Sequence, residues 1–99
     1  MKNEEIVTAL EAWAKSRNIA SESNKLQQLA KTTEELGELA SAVLKNNKEG
    51  IVDAVGDVQV CLIILCLQLG LDYNECLNSA YQEIKNRTGK TVNGTFIKD

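Results

Sequence analysis

Thr33–Asp57 reads T-E-E-L-G-E-L-A-S-A-V-L-K-N-N-K-E-G-I-V-D-A-V-G-D, and this stretch decides both the fold class and the chemistry. Two helical segments flank a polar break, Asn46-Asn47-Lys48-Glu49-Gly50, that can turn the chain back on itself. At about 3.6 residues per turn, Glu35 and Glu38 lie roughly 60° apart and Asp53 and Asp57 roughly 40° apart, so each pair projects from one face. An antiparallel hairpin brings the two pairs together. Carboxylates held that close repel one another and need a cation or raised pKa values to persist. An all-oxygen ligand set suits a hard ion, Mg²⁺ first and Mn²⁺ second.

Upstream, the periodicity predicts a second helix that starts behind a Ser21 or Ser23 cap and ends at Lys45 or Asn46. Leu26, Leu29, Thr33, Leu36, Ala40 and Val43 alternate by three and four on it, the pattern of a bundle-facing seam. A first helix runs from Asn3 or Glu4 to Arg17, with Ile6, Leu10, Trp13 and Ala14 on one stripe. Trp13 reads as a core anchor or, alternatively, as a stacking wall for a base. Downstream, a third helix spans Glu49–Leu69 and is stopped by Gly70. Asp53 and Asp57 continue the line of Val60, Cys61, Ile64 and Leu67, and acids on an apolar stripe are costly unless paired or metal-bound. Ile51, Val55, Val58, Leu62, Leu65 and Leu69 make a second apolar stripe on the same helix. A helix apolar on nearly all sides implies more covering surface than one short chain offers, so a homo-oligomer is expected, with Leu62, Leu65 and Leu69 in the interface. Asp72 and Glu75 resemble a capping box for a fourth helix that runs to Arg87 and ends at Gly89. Asn93-Gly94 between β-formers signals a C-terminal hairpin.

The composition narrows the functions available. Ninety-nine residues without proline, a repeat or a low-complexity tract make a single domain, 1–99, of all-α class with short loops. A net charge of −3 argues against a partner of nucleic-acid type, which calls for a basic stripe. The chain has no histidine, which removes His-based acid/base chemistry, Ser-His and Cys-His nucleophiles and most zinc sites. Three cysteines without close-spaced pairs suit a reducing cytoplasm, and Cys61 and Cys66 read as small core hydrophobes. The start lacks an apolar signal core, and Val58–Leu71, broken by Gln59 and Gln68, is too short for a bilayer-spanning run of about 20 residues. A cytoplasmic location without a membrane partner is therefore expected.

Gln28-Leu-Ala-Lys31-Thr-Thr-Glu34-Glu35-Leu-Gly-Glu38-Leu-Ala, followed by Asp53-Ala-Val-Gly-Asp57, resembles the MazG-like nucleotide pyrophosphohydrolases of the all-α NTP pyrophosphatase superfamily. Ala80–Phe96 is similar to the tail of the short, single-domain members, many of them phage-encoded, and the resemblance covers essentially the whole chain. It implies a four-helix bundle assembled as dimers or tetramers. It also implies Mg²⁺-dependent cleavage of a nucleoside triphosphate between its α- and β-phosphates, to a monophosphate and pyrophosphate. By resemblance, Glu35, Glu38 and Asp57 match metal-binding acids, Glu34 matches the acid that opens the motif, and Gln28 and Lys31 match positions near substrate. Two departures stand out. The residue three before Asp57 is Ala54 where the usual pattern has Glu, so Asp53 takes the ligand role. Tyr81 and Glu83 stand where longer members carry an Asn and a Lys.

The chemistry can also be written from the residues. A cation held by Glu35, Glu38, Asp53 and Asp57 neutralises a triphosphate. Glu34 or Glu38 positions or deprotonates the attacking water, and the sequence does not choose between them. Lys31, Lys85, Arg87 and Lys90 are the cations available to phosphates. No Walker loop is present. Other readings are a non-catalytic helical adaptor, and a phosphoribosyl-ATP, dCTP- or dUTP-directed pyrophosphohydrolase of the same superfamily.

Overall fold

The computed structural model describes residues 1–99 as four helices and a two-stranded hairpin: α1 (Asn3–Ser16), α2 (Lys25–Leu44), α3 (Lys48–Gln68), α4 (Tyr73–Ile84), β1 (Gly89–Val92) and β2 (Thr95–Lys98). The all-α class expected from the sequence holds. The boundaries follow local chemistry. The α1 entry is fixed by Glu5, whose carboxylate accepts from the Lys2 amide at 3.3 Å. Ser21 caps a single 3₁₀ turn, Glu22–Asn24, before α2 begins. The α2–α3 reversal uses its two asparagines differently. Asn46 takes a left-handed φ of 52°, and Asn47 caps α3 by accepting the Gly50 amide at 3.1 Å. Gly70, at φ 71°, ends α3 in the same manner, with the Leu71 amide bonding back to the Cys66 carbonyl at 2.8 Å. Asp72 caps α4 through the Glu75 amide, and α4 stops at Ile84, three residues short of the expected Arg87.

The principal packing is α2 against α3, but through a different face of α2 than the apolar periodicity indicated. The residues turned toward α3 are Gln28, Thr32, Glu35, Leu39 and Ala42, which meet Ala54, Cys61, Ile64 and Gln68. Leu26, Leu29, Leu36 and Val43, expected as the bundle-facing seam, are more than half exposed. Polar and small side chains, with Leu39, make up this face, while Leu26, Leu29, Leu36 and Val43 are left on the outer flank. There they adjoin the exposed or half-exposed Ile51, Val55, Val58, Leu62 and Leu69 of α3. In an antiparallel pair these two rows lie on the same side, so they form one uncovered apolar face. The acids occupy the opposite side.

α1 packs on a third face of α3 through Val7 and Ala14, against Ile63. Its buried stripe is turned away from the expected Ile6 and Trp13, which are 41% and 46% exposed. Trp13 is thus not the core anchor that its size suggested. α4 buries none of its residues. By length and composition α3, with mean hydropathy 2.1 in its most apolar window, could cross a membrane; here it packs on α2 along one side and α1 and α4 along another.

Only eight of 99 residues are buried, and the accessible surface is 7486 Å², against about 5,600 Å² expected for a folded monomer of 10.9 kDa. The radius of gyration is 15.8 Å, against about 13 Å for a chain of this length. A single copy leaves roughly a quarter of its surface in excess of what a self-sufficient domain exposes.

Candidate metal and phosphate site

The carboxylates of Glu34, Glu35 and Glu38 converge on one another within 4.8 Å. They stand on one turn of α2 and the next, but their surroundings differ. Glu35 lies on the α2 face that meets α3 and is buried at 7% exposure; Glu34 and Glu38 flank it in solvent. One Glu35 oxygen receives the Lys31 ammonium at 3.1 Å, and Lys31 also reaches Glu34 at 3.6 Å. The other oxygen, Oε2, is buried without any hydrogen-bond partner. A buried carboxylate oxygen left unpaired is expensive, and it calls for a water, a cation or a protonated neighbouring carboxyl beside it.

The second acid pair arrives from α3. Glu38, Ser41, Ala42 and Lys45 of α2 and Asn47, Gly50, Asp53, Ala54 and Asp57 of the turn and α3 line one groove of about 290 Å³. The hairpin therefore brings Glu38, Asp53 and Asp57 to a common groove, with Glu38 shared between it and the three-carboxylate cluster. Asp53 and Asp57 are exposed, not desolvated on an apolar stripe as their spacing suggested. The reason is a rotation of α3. Ala54, not Asp53, is the buried residue at the α2 contact, and the acids stand at its edge.

The electrostatics record the crowding. The Glu38 carboxyl is raised above its ordinary value, first by the hydrogen bond its protonated form can donate to Glu35, then by the Glu35 charge, by partial loss of water and by Glu34; Lys31 opposes this weakly. Lys31 is itself raised, chiefly by its hydrogen bond to Glu35 and then by the charges of Glu34 and Glu35. A carboxyl whose folded pKa exceeds its unfolded one stabilises the fold when protonated, so its contribution is present below the unfolded value and lost as pH rises through the folded one. The expected result is a stability that falls as pH rises just past the ordinary carboxylate range, with Glu38→Gln removing the slope. Thermal melts across that range check it.

The other expected site residues divide. Gln28 is spent on structure, donating its amide to the Cys61 carbonyl at 3.1 Å and tying α2 to α3, so it does not face substrate through that group. Trp13 lines an apolar pocket with Met1, Ile6, Ala9, Leu10 and Val60, and Arg17 stacks over its ring at 5.5 Å. Val60 is one turn beyond Asp57, so this pocket opens on the flank of α3 next to the acids. Lys85, Arg87 and Lys90 line neither the acid groove nor the Trp13 pocket, and Arg87 is engaged with Glu83 at 3.1 Å. Lys45, which the motif did not single out, is the cation that lines the acid groove. Its place in the same groove as Asp53 depends on the α2–α3 turn, which spacing along one helix does not reveal.

The acid set fits a hard divalent cation. The converging donors are the three α2 carboxylates, all oxygen, with no nitrogen or sulfur among them; Asp53 and Asp57 lie outside that cluster and share only the groove with Glu38.

The sequence profile of the family described as phosphoribosyl-ATP pyrophosphohydrolase matches residues 4–83, nearly all of the four helices without the hairpin. The chain is 38% identical over 69 residues to an 18.2 kDa protein from the rep–hol intergenic region of Haemophilus phage HP1, an alignment that covers 70% of this chain and 42% of that one. The chain thus spans about two fifths of the length of that relative. No solved structure matches the chain.

Proposed function

Because the chain belongs to the phosphoribosyl-ATP pyrophosphohydrolase family of the all-α NTP pyrophosphatase superfamily, we propose that it is a Mg²⁺-dependent nucleoside triphosphate pyrophosphohydrolase. It cleaves between the α- and β-phosphates of an NTP or dNTP to release pyrophosphate. The observation that carries this reading is the cluster of Glu34, Glu35 and Glu38, whose Glu38 also lines the groove that holds Asp53 and Asp57. Glu35, Glu38, Asp53 and Asp57 would hold the cation, with Mn²⁺ a substitute. The bound ion supplies neutralisation of the triphosphate charge and of the charge that develops on the phosphoryl oxygens.

The remaining steps belong to the chain's own side chains. With Glu38 committed as a ligand, Glu34 is the acid left to accept the proton of the attacking water. Lys31 lies beside it, 3.6 Å from the Glu34 carboxylate. Lys45 lies on the groove to meet phosphate oxygens. The apolar Trp13 pocket next to Asp57 offers a stacking wall for the base. Glu34→Gln is expected to lower kcat by about a hundredfold, within the usual range for a general base, and leave divalent-cation affinity unchanged. Glu38→Gln is expected to weaken the cation affinity itself. Calorimetric titration beside single-turnover kinetics separates the two.

The deciding experiment incubates the protein with Mg²⁺ and a panel of canonical NTPs, dNTPs and phosphoribosyl-ATP, with pyrophosphate and orthophosphate read separately. Pyrophosphate is the expected product, and none forms without a divalent cation. Orthophosphate appearing alone overturns the bond assignment. Neither product with any nucleotide, together with no heat of Mg²⁺ binding, leaves a non-catalytic adaptor. Phosphoribosyl-ATP is included because the matched family bears its name.

A second part of the proposal is a homo-oligomer, at least a dimer, that closes the uncovered face of α2 and α3. The excess of roughly 1,900 Å² per chain would bury about 3,800 Å² in a two-fold pair, within the range of obligate homodimers.

A further inference from the structure

The C-terminal hairpin is built to a defined geometry. Asn93 and Gly94 both take positive φ, 50° and 79°, the requirement of the two-residue turn whose twist matches paired strands. The register is fixed through Gly89↔Lys98, Lys90↔Ile97, Thr91↔Phe96 and Val92↔Thr95. Its open end is closed by Thr88 and Asp99, through a hydroxyl–carboxylate bond of 2.8 Å and a backbone bond of 3.0 Å. Gly89 leaves room for the neighbouring strand, since a Cβ there would run into the Ile97 carbonyl and the Phe96 ring.

Yet every residue of both strands is exposed. Residues paired across an antiparallel ladder share a face. Val92 and Ile97 therefore lie on one side and Phe96 on the other, at 43%, 50% and 50% exposure. Both faces carry an apolar group that nothing in the same chain covers. A lone two-stranded hairpin is marginal in water. α4, which leads into it, likewise presents Leu77, Tyr81 and Ile84 to solvent at helical spacing.

We propose that this hairpin is an arm that packs on a second copy of the chain. The second copy is the occupant because the surface in excess, roughly 1,900 Å² per chain, is the amount a stable dimer removes from each partner. The arm's Val92, Phe96 and Ile97, with Leu77, Tyr81 and Ile84 of α4 leading into it, are part of that excess and lie away from the α2–α3 face. The arm goes beyond the pairing proposed above, because it makes the eleven residues after Thr88 part of the grip between subunits.

The test compares the full chain with a chain ending at Thr88, and with a full-length Phe96→Ser/Ile97→Asp variant, by sedimentation equilibrium without nucleotide or metal. The expected result is an association constant at least about tenfold weaker, a loss of about 1.4 kcal/mol, in both altered chains. Helical circular dichroism per helical residue should be unchanged, since no residue of the arm is part of the buried core. In the full chain, the ladder amides of Lys90 and Ile97 should exchange slowly when associated and quickly on dilution. Equal association with and without the arm overturns the proposal, as does a full chain that sediments as a monomer at micromolar concentration. Because no turnover is read, the outcome is independent of the pyrophosphohydrolase assignment.

Discussion

Glu35→Leu is expected to abolish pyrophosphate release and raise the melting temperature in the same protein. The two effects share one origin. Glu35 is the acid that α2 presses against α3, with one oxygen held by Lys31 and the other left without a partner. Leucine in its place meets Cys61 and Ile64 and removes the unpaired oxygen. Relieving such a group recovers about 1–3 kcal/mol, and each kcal/mol is worth about 4–8 °C in a domain of this size. Lys31 loses a partner but is half exposed, so its side of the pair costs little. Losing a group that stabilises charge in the transition state costs about a hundred- to a thousandfold in kcat, and loss of a metal-holding acid belongs at the upper end. Calorimetric melts and a pyrophosphate assay at saturating Mg²⁺ read both. A variant that loses activity and melts lower would make Glu35 a structural partner of Lys31 and remove it from the cation site.

The second large effect is expected on the other side of the same helix pair. Leu36→Asp combined with Leu62→Asp sets two carboxylates into the aliphatic face shared by α2 and α3. Both positions are exposed in a single copy, at 55% and 37%, so the change barely disturbs the chain by itself. In an oligomer the same carboxylates become desolvated and unpaired. Association should weaken by at least about a thousandfold, or about 4 kcal/mol, and light scattering at micromolar concentration should report monomer. If the unaltered chain scatters as a stable folded monomer, the oligomer reading fails outright. If the variant remains associated, the partner lies elsewhere.

The helices and the hairpin were legible because their signals are local. Ser21, Asp72 and Asn93-Gly94 each act on backbone groups within three residues, and the structure uses them as caps and a turn. The acid cluster was legible for the same reason, since Glu34, Glu35 and Glu38 need only one helix. The packing of α2 was not. Leu26, Leu29, Leu36 and Val43 form the more apolar stripe, and periodicity assigns such a stripe to the nearest helix. Within the chain, α3 instead meets a mainly polar and small face that includes Leu39, and Leu26, Leu29 and Leu36 point away. Hydrophobic patterning reports that a face needs covering without saying whether the same chain covers it. Asp53 was misplaced by the same rotation: it was read as desolvated, and it stands exposed at the groove beside buried Ala54. Gln28, matched to a place near substrate by sequence pattern, proved to hold a backbone carbonyl of the neighbouring helix.

That use of Gln28 has a mechanical side. Small residues facing one another make a smooth seam along which two helices can slide. Gln28 grips the Cys61 carbonyl at 3.1 Å, and Gln68, at the far end of α3, grips the Ile19 carbonyl at 2.7 Å in the segment leading into α2. Together they act as two detents on a rail. A slip of one turn would carry α3 about 5.4 Å along α2, more than the 4.8 Å within which the three glutamates gather. Asp53 and Asp57 would then pass out of step with Glu38 while every helix stayed whole. Alignment of the acid rows therefore rests on two amide side chains that touch no acid, and a chain with Gln28→Leu could fold, pair and still be unable to bring its carboxylates to the same point.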